Sequence, residues 1–312
     1  MGKAVRFLEI QWYPGHMAKA KRLIQENLGL VDVVIELVDA RIPYSSRNPD
    51  MQYLLSRRPR IIVLNKNDLA DPEKTRAWCD YFEQQGIPAL ALNSLAGRGT
   101  ERIVNIAGSL LEDKMEALKA RGFRDRPIRA MVVGIPNVGK SAFINALTRR
   151  SVARVGEKPG LTRGKQWIRI GEDFELLDTP GILWPKFEDP EVGFKLAVTG
   201  AVSDLVYDVE EVGAQLVLLL SRVAPEALAS RYRLEKLAGS LEEAYQLLRA
   251  IGARRGYLHT GGEVDTVKAA YLVLHEFREG KIGQITLDEV PAAPEDCPAG
   301  EHQENCQTKP LQ

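Results

Sequence analysis

The octapeptide Gly134-Ile135-Pro136-Asn137-Val138-Gly139-Lys140-Ser141 constrains this 312-residue chain more than any other stretch. It fits G-x-x-x-x-G-K-[ST] and stands between a β-branched apolar run, Ile128 to Val133, and a helical pattern, Lys140 to Leu147. Strand, Gly-rich loop and helix are the context in which this pattern cradles phosphate. The glycines let backbone N–H groups close on phosphate oxygens, and the helix N-terminus adds a favourable dipole. Lys140 is expected to reach the β and γ phosphates, and the Ser141 hydroxyl to ligate Mg²⁺. Asn137, Val138, Gly139 and Ala142 complete the phosphate-side set. The pattern implies a nucleoside triphosphate site without naming the base.

The remaining periodicities supply a sheet for that loop. Val33 to Val38 and Arg60 to Leu64 are apolar runs of the kind buried on both faces. Asp71 to Gln85 reads as a helix with Asp71 as N-cap and Pro72 at its first position. Pro88 to Leu92 is a short strand, Arg98 to Ala120 a long charged helix, and Gln166 to Ile170 with Phe174 to Leu177 a hairpin. Strands alternating with helices predict an α/β fold with a doubly wound, mostly parallel sheet. Beyond about Pro185 the strand signals stop. Helical stripes take over, one through Leu241, Ala244, Tyr245, Leu248 and Ile251, another through Val267, Ala270, Tyr271 and Leu274. Four units are expected: a basic segment 1–30, a nucleotide domain 31–185, a helical domain 186–285 and a disordered acidic tail 286–312.

Two further motifs refine the ligand. Asn65-Lys66-Asn67-Asp68 follows a buried strand. Guanine offers N1–H and N2–H₂ as adjacent donors, which one carboxylate, Asp68, can accept together; adenine offers no such pair. Asn65 would support the loop and the base's acceptor edge, and the Lys66 stem would cover the ring. Asn93-Ser94, at the end of the next strand, would place N–H groups near the guanine oxygen. Asp178-Thr179-Pro180-Gly181 ends another strand, where an Asp holds Mg²⁺ through water and the Gly181 N–H senses the γ-phosphate. Thr162, in Pro159-Gly160-Leu161-Thr162-Arg163, is the candidate for a second Mg²⁺ hydroxyl on a mobile loop.

These five elements are those of a GTPase, but the base-reading pair precedes the phosphate loop. With Trp12-Tyr13-Pro14-Gly15-His16-Met17 ahead of the domain and Asp39-Ala40-Arg41-Ile42-Pro43 after the first strand, the chain resembles the YlqF/RbgA-type circularly permuted ribosome biogenesis GTPases. The likeness covers roughly Gln11 to Gly283. It implies a circularly permuted P-loop GTPase domain followed by a small all-helical domain. It also implies GTP and GDP as ligands, and the large ribosomal subunit with its rRNA as partner. A switch with negligible hydrolysis, binding RNA in a GTP-dependent way, is the alternative reading.

Hydrolysis needs a group that orients water. The residue after Asp178-Thr179-Pro180-Gly181 is Ile182, which cannot do so. His16 is the candidate, its near-neutral pKa suited to the task; the resemblance points the same way, since the family's Tyr-Pro-Gly-His element carries its proposed catalytic histidine. A turn cap or an RNA contact is the other reading of His16. Asn137 matches the phosphate-loop Asn of potassium-stimulated GTPases, making K⁺ a second candidate cation.

Charge and composition narrow the setting. Residues 286–312 hold six acids and one base, leaving the body with 41 bases against 36 acids. A modestly basic body permits RNA contact without requiring it. The basic connector 121–129 and Arg254-Arg255-Gly256-Tyr257 are candidate phosphate contacts or ordinary solvated surface. No apolar run reaches the roughly 18 residues of a membrane helix. Three scattered cysteines and the absence of a signal-like apolar start predict a cytoplasmic protein, expected to be monomeric.

Overall fold

The computed structural model describes residues 16–55, 58–97, 99–122, 126–152, 167–177 and 189–291. In chain order the elements are α1 (His16–Asn27), β1 (Val33–Asp39), α2 (Pro49–Leu55), β2 (Arg60–Asn65), α3 (Pro72–Gln84), β3 (Ala89–Leu92) and α4 (Glu101–Ala120). They continue with β4 (Ile128–Gly134), α5 (Lys140–Val152), β5 (Trp167–Ile170), β6 (Phe174–Leu177), α6 (Pro190–Val198), α7 (Val209–Val223), α8 (Pro225–Tyr232), α9 (Leu241–Arg254) and α10 (Thr266–Arg278).

The six strands form one sheet in the order β3-β2-β1-β4-β6-β5. All neighbours are parallel except β5, which pairs antiparallel with β6. β1 lies in the middle and is buried at all seven positions. On β2 the side chains alternate between the faces. Ile61 and Val63 pack with Ile103, Ala107 and Leu111 of α4, while Ile62 and Leu64 pack with Trp78 and Phe82 of α3. That period of two, with a helix on either face, makes both faces of the sheet core. The start of α3 is set as its sequence predicts: the Asp71 carboxylate accepts from Glu73 N and Lys74 N, and Pro72 opens the helix.

From α6 to α10 the regular elements are all helices. α7 is buried nearly all round and packs on α9 and α10. It meets α10 at Gly213, where a Cβ would lie 2.6 Å from Ala270 Cβ. On α10 the buried stripe is Ala269, Ala270, Val273, Leu274 and Phe277. Val267 and Tyr271, expected on that stripe, are 43% and 44% exposed. A face read from apolarity alone is thus turned by about one position, because α7 and α9 approach through small residues.

Two expected boundaries move. Ile24 is fully buried in the main core, so the end of the basic segment 1–30 packs on the sheet domain through α1. The tail expected from residue 286 starts later. Residues 284–289 run back over the sheet domain as a strap, with Leu287 N donating to Arg41 O at 2.7 Å and Ile285 N to Leu69 O at 3.1 Å. Asp288 is 3% exposed and is held by Ser45 N, Ser45 Oγ and Lys195 Nζ. Its charge has buried partners, which is why an acidic stretch is ordered here. The connector's Arg126 and Arg129, partly exposed, pair with Asp32 and Glu175, with Arg129 over the Trp167 ring at 5.1 Å.

Candidate nucleotide-binding site

The phosphate loop joins the C-terminal end of β4 to α5, the crevice where open α/β sheets take ligands. Gly134 can only be glycine: a Cβ there would stand 2.6 Å from Leu37 O. Gly139, at φ +103°, would drive a Cβ into the Asn65 amide. Lys140 Nζ donates to Gly134 O at 3.2 Å and Ile135 O at 2.7 Å, so the ammonium arches over its own loop. The Ser141 side chain is exposed at the second position of α5. A hydroxyl there is the hard oxygen that Mg²⁺ takes beside phosphate oxygens, so the residues present fit a Mg²⁺–triphosphate. Asn137, at φ +58°, donates from Nδ2 to Gly200 O at 2.8 Å. The phosphate loop therefore touches the turn that follows α6.

The base-reading loop stands beside it. Asn65 and Asp39 end the neighbouring strands β2 and β1 and are paired in register. Asn65 Nδ2 donates to Val138 O at 2.7 Å, and its Oδ1 accepts from Ser94 N at 3.0 Å and Ser94 Oγ at 2.8 Å. One buried amide thus joins the phosphate loop, the base-reading loop and the Asn93-Ser94 loop. Asn65 supports the loop through these bonds, and the amide N–H₂ that an acceptor edge of the base would need donates to Val138 O. Asn93 Oδ1 accepts from Leu95 N and Ala96 N and shapes that third loop. Ser94 to Gly97 and Ala142, Asn145 and Ala146 line an open cleft of about 440 Å³. The Asp68 side chain is exposed, in the short turn of residues 67–69, while its carbonyl accepts from Gln284 Nε2 at 3.1 Å.

Lys66 stands between them with a left-handed backbone, φ +60° and ψ +36°. Its Nζ reaches Asp39 Oδ2 at 3.0 Å. Asp39 is also gripped by Arg41, whose Nε and Nη2 donate to the two carboxylate oxygens at 2.9 and 2.7 Å. Burial pushes the Asp39 carboxyl up, but the charges of Arg41 and Lys66 and their hydrogen bonds outweigh it and hold it well below the usual carboxylate range. In the sequence Asp39 and Arg41 stand out only as part of the family resemblance. A D-x-R at the end of a buried apolar strand is itself a signal, since a carboxylate buried there needs a cation within reach.

Thr162, Asp178 and Gly181 lie outside the described residues. The backbone of His16 opens α1; the expected role of its side chain lies outside the described residues. Arg254, considered for RNA contact, donates to Tyr232 O at 2.7 Å and to Arg233 O, tying α9 to the end of α8.

A family model described as "50S ribosome-binding GTPase" matches residues 129–245, beginning at the strand that carries the phosphate loop. Ribosome biogenesis GTPase A of Priestia megaterium is 50% identical over 283 residues, covering 90% of this chain and 97% of that protein. The protein of the same name from Bacillus cereus is 47% identical over 279 residues, covering 89% and 93%. The structure of GNP-bound YlqF from Thermotoga maritima superposes with a TM-score of 0.61 at 29% identity, covering 86% of this chain and 97% of that one. Phosphate loop after base-reading loop, a mostly parallel sheet with a helical region behind it, and these identities agree: the chain belongs to the ribosome biogenesis GTPase A family, the YlqF/RbgA-type circularly permuted GTPases.

Proposed function

We propose that this GTPase acts in assembly of the large ribosomal subunit, that the subunit stimulates its turnover, and that its helical region contacts rRNA. The observation that carries this reading is the Asn65 amide joining three nucleotide loops in permuted order, in a chain half identical to a ribosome biogenesis GTPase. GTP and GDP occupy the site, with Asp68 accepting from the guanine N1–H and N2–H₂. Lys66 covers the ring, Asn93 and Ser94 shape the pocket edge, and Lys140 lies on the β and γ phosphates. Ser141 and Thr162, with Asp178 through water, would hold the Mg²⁺ that accompanies the nucleotide and screens the phosphate charge. Asn137 would hold a K⁺, which would supply positive charge at the phosphates. His16 orients the attacking water, and the loss of γ-phosphate contact at Gly181 is relayed into the helical region, to which residues 178–185 lead. The protein works in the cytoplasm as a monomer.

The test is GTP turnover in potassium and in sodium buffer, with and without purified large ribosomal subunits. Strong stimulation by the subunit, lost in His16→Ala, is the expected outcome. Equal turnover with and without subunits rejects the assembly reading. Equal rates in the two salts remove K⁺. Equal subunit affinity with GDP and with a non-hydrolysable GTP analogue removes the relay.

A further inference from the structure

Three non-glycine residues among those described have a positive φ, and two of them, Lys66 and Asn137, stand in the nucleotide loops. A side-chain-bearing residue in that region is uncommon and persists where its surroundings hold it. At Lys66 the side chain is fixed as well as the backbone. Its ammonium is drawn to Asp39 Oδ2, at the end of the adjacent strand. Asp39 is 2% exposed, and both its oxygens are engaged by the Arg41 fork. Arg41 is itself 1% exposed. It is fixed from the helical region, with Nη1 donating to Arg278 O at 3.4 Å, Nη2 to Thr199 O at 3.5 Å, and its guanidinium 5.6 Å from the Phe277 ring centroid. Ser46 Oγ accepts from Asp39 N at 3.0 Å. The carboxylate therefore has one orientation, and that orientation sets where the lysine goes.

We propose that Asp39 is a positioning residue for guanine-nucleotide binding: clamped by Arg41, it draws the Lys66 ammonium back toward the end of β1 and so lays the lysine stem where the base is covered. This rests on the reading that the Lys66 stem covers the ring. A free lysine has four rotatable bonds, and ordering it on ligand arrival costs affinity; a lysine tethered beforehand has already lost that freedom. An exposed lysine with a solvated partner gains little from pairing. Asp39 is buried and immobile, so the tether selects one stem path. The loop does not need this ion pair for its backbone shape, because Asn65 and the hydrogen bond from Leu69 N to Lys66 O already close it.

The experiment is a double-mutant cycle on the full chain, read by calorimetric titration with GDP and by steady-state GTP hydrolysis, with thermal unfolding recorded for each protein. Asp39→Asn is expected to weaken GDP binding about tenfold, and to raise KM for GTP by the same factor with kcat unchanged. Lys66→Ala is expected to weaken binding at least as much. The double variant is expected to bind GDP no more weakly than Lys66→Ala, although its unfolding temperature drops as for Asp39→Asn alone. An equal further loss in the Lys66→Ala background would overturn the proposal, because Asp39 then acts without the lysine. Unchanged GDP affinity in Lys66→Ala would instead overturn the reading of Lys66 itself. If Asp39→Asn does not fold, Lys66→Met decides. It keeps an apolar stem and removes the ion pair, so wild-type GDP affinity in that variant sinks the proposal, and a tenfold loss that Lys66→Arg restores supports it.

Discussion

Asn65 and Val138, 73 positions apart in the chain, are joined by a 2.7 Å hydrogen bond from the Asn65 amide to the Val138 carbonyl. The bond runs from the end of β2 to the phosphate loop that leaves β4, and β2 and β4 are not neighbours but flank β1. Because the same amide holds Ser94 from the other side, the phosphate and base halves of the site are one unit.

Asn65→Ala removes all three bonds and leaves a buried carbonyl, N–H and hydroxyl unpaired. A loss of about 2–4 kcal/mol in folding stability is expected from bonds of this kind. GDP affinity is expected to fall at least about tenfold, because the two loops lose their common support. Denaturant unfolding and GDP titration of the purified variant measure both.

Gly139→Ala addresses the same contact from the other loop. The added methyl would collide with the Asn65 amide, and φ +103° is strained for any residue with a Cβ. Loss of nucleotide binding with a folded sheet is expected, since the clash is local to the loop. Retention of wild-type GDP affinity would show that the loop can shift without cost.

The strap makes a separate prediction. Ile285 and Leu287 are each 6% exposed, and Asp288 is held by Ser45 and Lys195. Removing residues 291–312 is expected to leave the unfolding temperature unchanged. Removing 284–312 takes away two buried aliphatic side chains and a buried ion pair, and should cost at least about 3 kcal/mol. Thermal unfolding of the two truncations compares them directly.

Acid sensitivity follows from Asp32. Burial pushes its carboxyl up, but hydrogen bonds from Arg126, Lys114 and the Arg129 N–H, together with the Lys114 charge, outweigh this and hold it well below its ordinary value. Asp39 is depressed in the same direction. The unfolded chain binds these protons at a pH near 3.9, the folded chain only at lower pH. Their stabilisation is therefore complete above about pH 4 and is lost as pH falls through the folded values. Urea unfolding across that range should show stability falling with acid, with a shallower fall in Asp32→Asn.

Much of the fold was readable without coordinates. The apolar runs of β1 and β2, the Asp71-Pro72 start of α3, and the β5–β6 hairpin are local patterns, and local patterns survive translation into structure. The buried face of α10 differs from its apolar stripe, because which residues a helix buries depends on what packs against it; here Gly213 lets Ala270 close on α7. The strap departs from its sequence pattern for a related reason. Thr286 to Asp288 look like solvated acidic tail until Ser45, Lys195 and Arg41 are known to wait beneath them.

For the nucleotide site the division is sharper. Sequence alone determined the ligand class and the candidate groups for it, since the motifs that carry Gly139, Lys140, Ser141, Lys66 and Asp68 are contiguous and match the chemistry of phosphate and base. It also determined the permuted order, which is a property of the chain and not of its packing. Tertiary structure alone decided what holds these groups in place. Asp39 meets Lys66 27 positions away, Gln284 meets Asp68 216 positions away, and Asn137 meets Gly200 63 positions away. Side chains that act by touching a ligand carry their chemistry in their own identity. Side chains that act by touching one another carry it in a distance, and distances between remote positions exist only once the core has closed.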